Sequence, residues 1–344
     1  MGAVTMGQIG FFDYEDRLNE LSKMGDPLEI IGKVVQWKGM RQVIEKPFSK
    51  ERKSNAGRPP FDYVMMFKVL VLQTMYGLSD EQTQFQILDR FTFRRFLGLG
   101  PEDRVPDQKT IWLFREKLVQ AGTVKKLFDI FQKQLNDAGY CARKGQMIDA
   151  SFIEVPRQRN TKDENDQIKN GVTPEEWEQN PAKLRQKDTD ARWTKKNDQN
   201  YYGYKNHINA DVKNKLIRGY AVTTAEVHDS KVFEEILDPA NTNADVYADS
   251  AYSSERAKKR LDELWYRSRI CRKGKRGNPL TKLETEQNRK KSKVRARVEH
   301  VFAQIELMYG GVIRCIGRHR AATKIGLLNL VYNMKRLAYL QSHA

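Results

Sequence analysis

The sequence predicts an α/β protein whose first half is all helix and whose second half mixes strands with helices. Three observations carry this. Up to residue 138, apolar positions recur at helical spacing between capping and breaking signals. At Gln146 the pattern switches to a β-branched, apolar run, QMIDASFIEV, directly after Gly145. Beyond it the segments read as strand, hairpin, helix, strand, helix, strand, before helical order returns near Val294.

Each element has a local justification. Phe61 to Tyr76 is apolar enough for a buried helix, and Arg58-Pro59-Pro60 punctuates the polar segment before it. Ser79-Asp-Glu-Gln82 is a capping box ahead of Phe85, Ile87, Leu88, Phe91 and Phe93, so one helix starts near 80. After the break at Gly98 to Pro101, Asp107 caps a helix over Thr110 to Gln120, and Gly122 separates it from Val124 to Ala138. This module can hold a helix-turn-helix, although spacing alone assigns no recognition helix. Residues 156–200 are polar and poor in aliphatics, and read as an insertion anchored by Trp177 and Trp193. Runs at Tyr202 to Val212 and Leu216 to Thr224 form a hairpin around Lys213-Asn214-Lys215. A helix over Ser230 to Leu237, a strand over Ala244 to Ala248, a helix over Ser254 to Leu264 and a strand over Arg269 to Arg272 follow. Val294, Val298, Val301, Ile305 and Met308 then mark one face of a long helix, and Ala321 to Leu340 is the last.

Composition narrows the function. Against 44 Asp+Glu stand 61 Lys+Arg, a formal charge of +17, which points to a polyanion, nucleic acid first and an acidic membrane surface second. The apolar stretch Val64 to Leu72 is broken by Lys68 and falls short of the ~20 residues of a membrane span. The first residues show no signal-peptide pattern, and Cys141, Cys271 and Cys315 lack disulfide or zinc spacing, so the expectation is a cytoplasmic protein. Between Arg267 and Arg297 bases far outnumber the two acids, Glu284 and Glu286, so the stretch is either a phosphate grip or a solvated loop.

Three carboxylates stand where acids are costly. Asp149 interrupts a core-like strand, Asp249 follows the apolar run Val246-Tyr247-Ala248, and Glu299 lies beside the late apolar helical stripe. Converging, they would supply oxygen ligands for hard divalent ions, and two such ions roughly 3.5 to 4 Å apart suit phosphodiester chemistry. Taken singly, a strand-end Asp is more often a turn or cap residue and a helical Glu more often an i,i+4 partner, here Glu299 with Arg295. Tyr202-Gly203-Tyr204-Lys205 with His207 offers either DNA contacts or ordinary strand aromatics.

The motifs IDASFIEV, YADSAYSS and RARVEHVF resemble the three acid-bearing motifs of bacterial insertion-sequence transposases of the DDE class, in the IS-five-like branch. GRPPFDYVMMFKVLVLQTMYGLSDEQTQ is similar to that family's helical N-terminal region. The resemblance implies a ribonuclease H-like catalytic domain, a mixed five-stranded sheet with flanking helices, over residues 144–344. It implies a helical DNA-binding domain over 58–143, preceded by a partly helical segment over 1–57. Asp149, Asp249 and Glu299 become the catalytic acids and the ligands of two Mg²⁺ or Mn²⁺ ions. The partners implied are the terminal inverted repeats and target DNA, gripped by a homodimer or higher oligomer at the bacterial nucleoid. Arg272, Lys273, Lys275, Arg276, Lys291, Lys293 and Arg295, with Lys205, are the DNA-binding candidates. Where the family's extended helix signature has Tyr and Lys, this chain has Ser292 and Glu306, leaving those phosphate contacts to Lys291 or Lys293. TTAEVHDSKVF also resembles a motif near the family's active site, with His228 and Asp229 as supporting residues or His228 as a structural one. A DNA-binding protein without catalysis, or a simple nuclease on the same fold, are the rival readings.

Overall fold

Cap residues set the helix starts in the first half of the computed structural model, which describes residues 13–49, 59–196, 198–274 and 277–343. α1 covers Asp13–Lys23, and Asp26 accepts from Leu28 N at the head of α2, Pro27–Val34. α3 is a short helix over Arg41–Glu45. Asp62 caps α4, Tyr63–Met75, which is buried nearly all round. Ser79 and Gln82 form the reciprocal capping box of α5, Asp80–Asp89. The chain then extends at Arg90 and restarts as α6, Phe91–Leu97. That break changes the apolar phase: Ile87 and Phe93 are buried, while Phe85, Leu88 and Phe91 face out. Asp107 caps α7, Gln108–Gln120, and left-handed Gly122 turns the chain into α8, Thr123–Asp137.

The second half opens with β1, Gln146–Glu154. The inserted segment carries α9 (Lys162–Lys169), α10 (Glu175–Glu178) and α11 (Pro181–Leu184), around a fully buried Trp177 whose indole donates to Glu164 at 2.7 Å. It ends in β2, Arg192–Lys196, which pairs antiparallel with the start of β3, Gln199–Asp211. The sheet therefore has six strands rather than five. The sixth escaped the sequence because its RWTKK lacks the apolar alternation of a half-buried strand. β4, Ile217–Thr224, lies antiparallel along β3 after the expected turn, where Asp211 accepts from Asn214 N and Leu216 N. At Gly203 the backbone of β1 comes so close that a Cβ would sit 2.4 Å from the Ile153 carbonyl oxygen.

Over Ser230 to Leu237 the expected helix is absent; only a 3₁₀ turn, Asp229–Lys231, forms. Ahead of Pro239, which disfavours helical backbone in the residue before it, Val232, Phe233 and Ile236 are buried by turns instead. β5, Asp245–Tyr247, runs parallel to β1. α12, Glu255–Glu263, leads to β6, Arg267–Ser268, two residues before the expected strand, although ladder bonds continue to Cys271 N. The strand order is β2-β3-β1-β5-β6, with β4 also on β3. The late helix is broken at Ala296 into α13 (Lys282–Arg295) and α14 (Arg297–Glu306). α15, Arg318–Ser342, contacts α2, α4, α7, α8, α14 and β4, so one core runs through both halves of the chain. Among the described residues no helix is long and apolar enough to cross a membrane.

Candidate active site

Strand alternation decides where the acids point. Successive residues of β1 face opposite sides, so Met147 and Ile153 join the core under α14 and α15, while Ile148 joins a second core with Val246, Ala248 and Tyr252. Asp149 shares the Met147 face. The parallel register pairs Met147 with Tyr247, so Asp249, two residues past the end of β5, follows on the same side as Asp149, close enough for the two charges to interact. α13 and α14 contact β1 from the rest of the chain, and α13 also reaches β5.

Arg295, the last residue of α13, joins two of the acids. Its Nη1 lies 2.5 Å from Asp149 Oδ2 and its Nη2 3.5 Å from Glu299 Oε1. Asp149 is 14% exposed at its side chain and Glu299 64%. Burial pushes the Asp149 carboxyl above the ordinary carboxylate range, against Arg295 and the Ala150 N–H, and the charge of Asp249 adds to the rise. Asp249 Oδ1 accepts from Ala251 N at 2.8 Å and caps the 3₁₀ turn Ser250–Tyr252. Below that turn the Tyr252 hydroxyl is buried without a hydrogen-bond partner among the described residues, and burial, then the charges of Asp229, Asp149 and Asp249, raise its pKa far above that of a free phenol.

The acid set has the chemistry of a hard divalent ion site, since every donor is a carboxylate oxygen and Asp149 carries a burial cost that a cation would relieve. Arg295 now supplies that compensation. Among the described residues no three His, Cys, Asp or Glu side chains stand close enough together to hold a metal ion. Loading would require Arg295 to release Asp149 and Glu299 to close on the two aspartates.

The basic candidates divide. Lys293 and Lys273 are exposed. Arg272 pairs with Glu284 at 2.5 Å, and Lys291 donates to the Ile270 carbonyl at 3.0 Å, with burial lowering its pKa. Lys275 and Arg276 lie outside the described residues. Lys205 is a correction: it is buried, donating to Val227 O at 2.7 Å and Asp229 Oδ1 at 2.9 Å, so it offers DNA nothing. Tyr202, Tyr204 and His207 are buried with it, because β3 is covered on both faces. Asp229 is thus the counter-ion of Lys205, and exposed His228 caps its own turn, Nδ1 accepting from Ser230 N at 3.3 Å. The position of Tyr252 under the site had no separate signal in the sequence beyond its place inside YADSAYSS.

Residues 141–334 match the family described as transposase DDE domain, and residues 16–117 match a second described as transposase domain. The chain belongs to the DDE transposases. The two matches together cover the helical half and the sheet-bearing half of this transposase, and agree with a ribonuclease H-like DDE domain. DDE transposases generally use divalent metal ions, act on DNA and carry out nuclease or transesterification chemistry. Among solved structures, a piggyBac transposase synaptic complex with hairpin DNA aligns at a TM-score of 0.48 and 14% identity, covering 92% of this chain and 75% of that chain.

Proposed function

We propose that this transposase binds the terminal inverted repeats of an insertion sequence of the IS-five-like branch, cleaves the element ends by metal-dependent hydrolysis and joins the 3′ ends to target DNA. Asp149, Asp249 and Glu299 are the catalytic acids and would hold two Mg²⁺ or Mn²⁺ ions, which when bound activate the attacking oxygen and stabilise the leaving one. The supporting observation is that Asp149 and Asp249 lie on the same side, close enough for their charges to interact, with Glu299 linked to Asp149 through one guanidinium. In this scheme Asp149 presents its oxygens from β1 and Asp249 from the turn that directly follows the adjacent parallel strand β5. Arg295 holds the Asp149 charge until DNA arrives, then turns to a phosphate oxygen. The exposed Lys273 and Lys293 contact the backbone, and the helical domain over 58–143 reads the repeats. Two ends must be paired, which calls for a homodimer or larger assembly on DNA.

Asp149→Asn keeps the side-chain shape and removes the charge. It should abolish Mg²⁺-dependent cleavage of end DNA in a nicking assay, while gel-shift affinity for the same DNA stays within about twofold. Retained cleavage would remove Asp149 from the catalytic set.

A further inference from the structure

A cleft of about 1390 Å³ separates α5 and α7 from the inserted segment and the stretch leading into α15. It is not the acid site: none of Asp149, Asp249 and Glu299 lines it. β1 carries the chain from Asp149 to the cleft wall at Val155, about 20 Å further at roughly 3.3 Å per residue.

The charges lining this cleft do not cancel. Asp80 is held by both terminal nitrogens of Arg115, and Glu116 by the guanidinium of Arg320. Asp188 spends its carboxylate on the Tyr204 hydroxyl and on the N–H groups of Ala191 and Gly317. The acids are therefore all committed. Left over are the side chains of Arg159, Arg314 and Lys324, which make no ion pair or hydrogen bond among the described residues. Burial, and then the nearby Arg115, hold the Lys324 amine down to about 8, against weaker opposing pulls from Cys315 and Asp80. An arriving anion would offset that cost. Trp112, 48% exposed, adds an aromatic face to the same lining.

The volume exceeds the roughly 300–1,000 Å³ of small-ligand pockets. Uncommitted cations beside an exposed indole are the pairing that binds single strands, with phosphates on the cations and a base on the ring. A duplex keeps its bases stacked and offers Trp112 only a terminal pair. We propose that this cleft holds an unpaired DNA strand adjoining the element end, with Arg159, Arg314 and Lys324 on successive phosphates and Trp112 stacked on a base. The proposal rests on the reading that this chain processes DNA ends.

Fluorescence anisotropy of the full chain with a labelled oligothymidylate of about 12 nucleotides, and with a blunt duplex of the same length, tests it. The triple variant Arg159→Ala, Arg314→Ala, Lys324→Ala should weaken strand binding at least about tenfold and reduce the salt slope by about 2, from about 0.7 per phosphate. Trp112→Ala should weaken it by about 5-fold or more. Duplex affinity should change far less, and melting curves should show both variants folded. Unchanged strand affinity in the variants, or equal losses for strand and duplex, would overturn the proposal. Asp149→Asn separates it from the catalytic reading. If that variant still cleaves while the triple variant loses the strand, only the catalytic assignment fails. If Asp149→Asn is inactive and the triple variant binds the strand normally, only the cleft assignment fails.

Discussion

Arg295 is the residue on which the candidate site turns, because it is both the countercharge of Asp149 and the link to Glu299. Arg295→Gln would leave Asp149 buried beside the charge of Asp249 with the Ala150 N–H as its remaining hydrogen-bond donor. For a partly solvated pair this costs about 1–3 kcal/mol, less than for a fully buried one. Thermal melts in EDTA should therefore fall for Arg295→Gln, and added Mn²⁺ should recover more of the loss than it adds to the wild type. Equal Mn²⁺ shifts in both proteins would count against Arg295 and a cation compensating the same carboxylate. His207 is the second residue with a readable consequence. Its ring is fully buried, with Nε2 2.8 Å from Thr223 Oγ1 and Nδ1 without a hydrogen-bond partner among the described residues. Burial holds its pKa below the ordinary histidine value, with Asp229 opposing and Lys205 assisting. The unfolded chain then binds a proton that the folded chain refuses, so stability drops as pH falls below about 6.5. His207→Gln should flatten that acid limb in melts between about pH 7 and pH 4.5; an unchanged limb would show that other groups set it.

At the scale of elements, α15 and the broken α13–α14 pair do most to shape the molecule. α15 buries residues on every side, which a helix can afford only at the centre of a core. Its two buried asparagines are paired: Asn329 and Asn206 exchange amide bonds at 2.8 and 3.0 Å, and Asn333 meets both Ile217 N and Ile217 O at 2.9 and 2.8 Å. Asn329→Ala strands the buried Asn206 amide, so a loss of about 2 kcal/mol is expected in urea unfolding. Substituting both asparagines by leucine should cost less than the sum of the single losses, since no orphan amide remains. The break at Ala296 matters differently. It lets Arg295 finish one helix and reach Asp149, while Glu299 sits in the first turn of the next.

For the whole molecule, the charge of +17 sets the salt dependence of DNA binding. If about six phosphates are neutralised, end-DNA affinity should fall about 10³-fold between about 50 and 200 mM salt, with inverted-repeat and random DNA falling in parallel. A shallow slope would show that the basic surface does not carry binding. Sequence alone determined the features whose causes are local. Ser79 and Asp107 start helices because a cap needs only the next three residues, and the β3–β4 hairpin follows from two apolar runs around a short turn. Asp149, Asp249 and Glu299 stood out because acids beside apolar runs are costly wherever the chain goes. Tertiary structure decided what depends on distant partners. Lys205 looked available until Asp229, brought beside it after the β4 turn, took its charge. β2 became a strand only because β3 offered an unpaired edge. Arg159 lies far from Arg314 and Lys324 in the chain, and only folding leaves the three in one cleft with their acidic neighbours already spent. Local pattern sets caps and turns, but edge strands and the charges that remain uncompensated are settled only when other segments meet them.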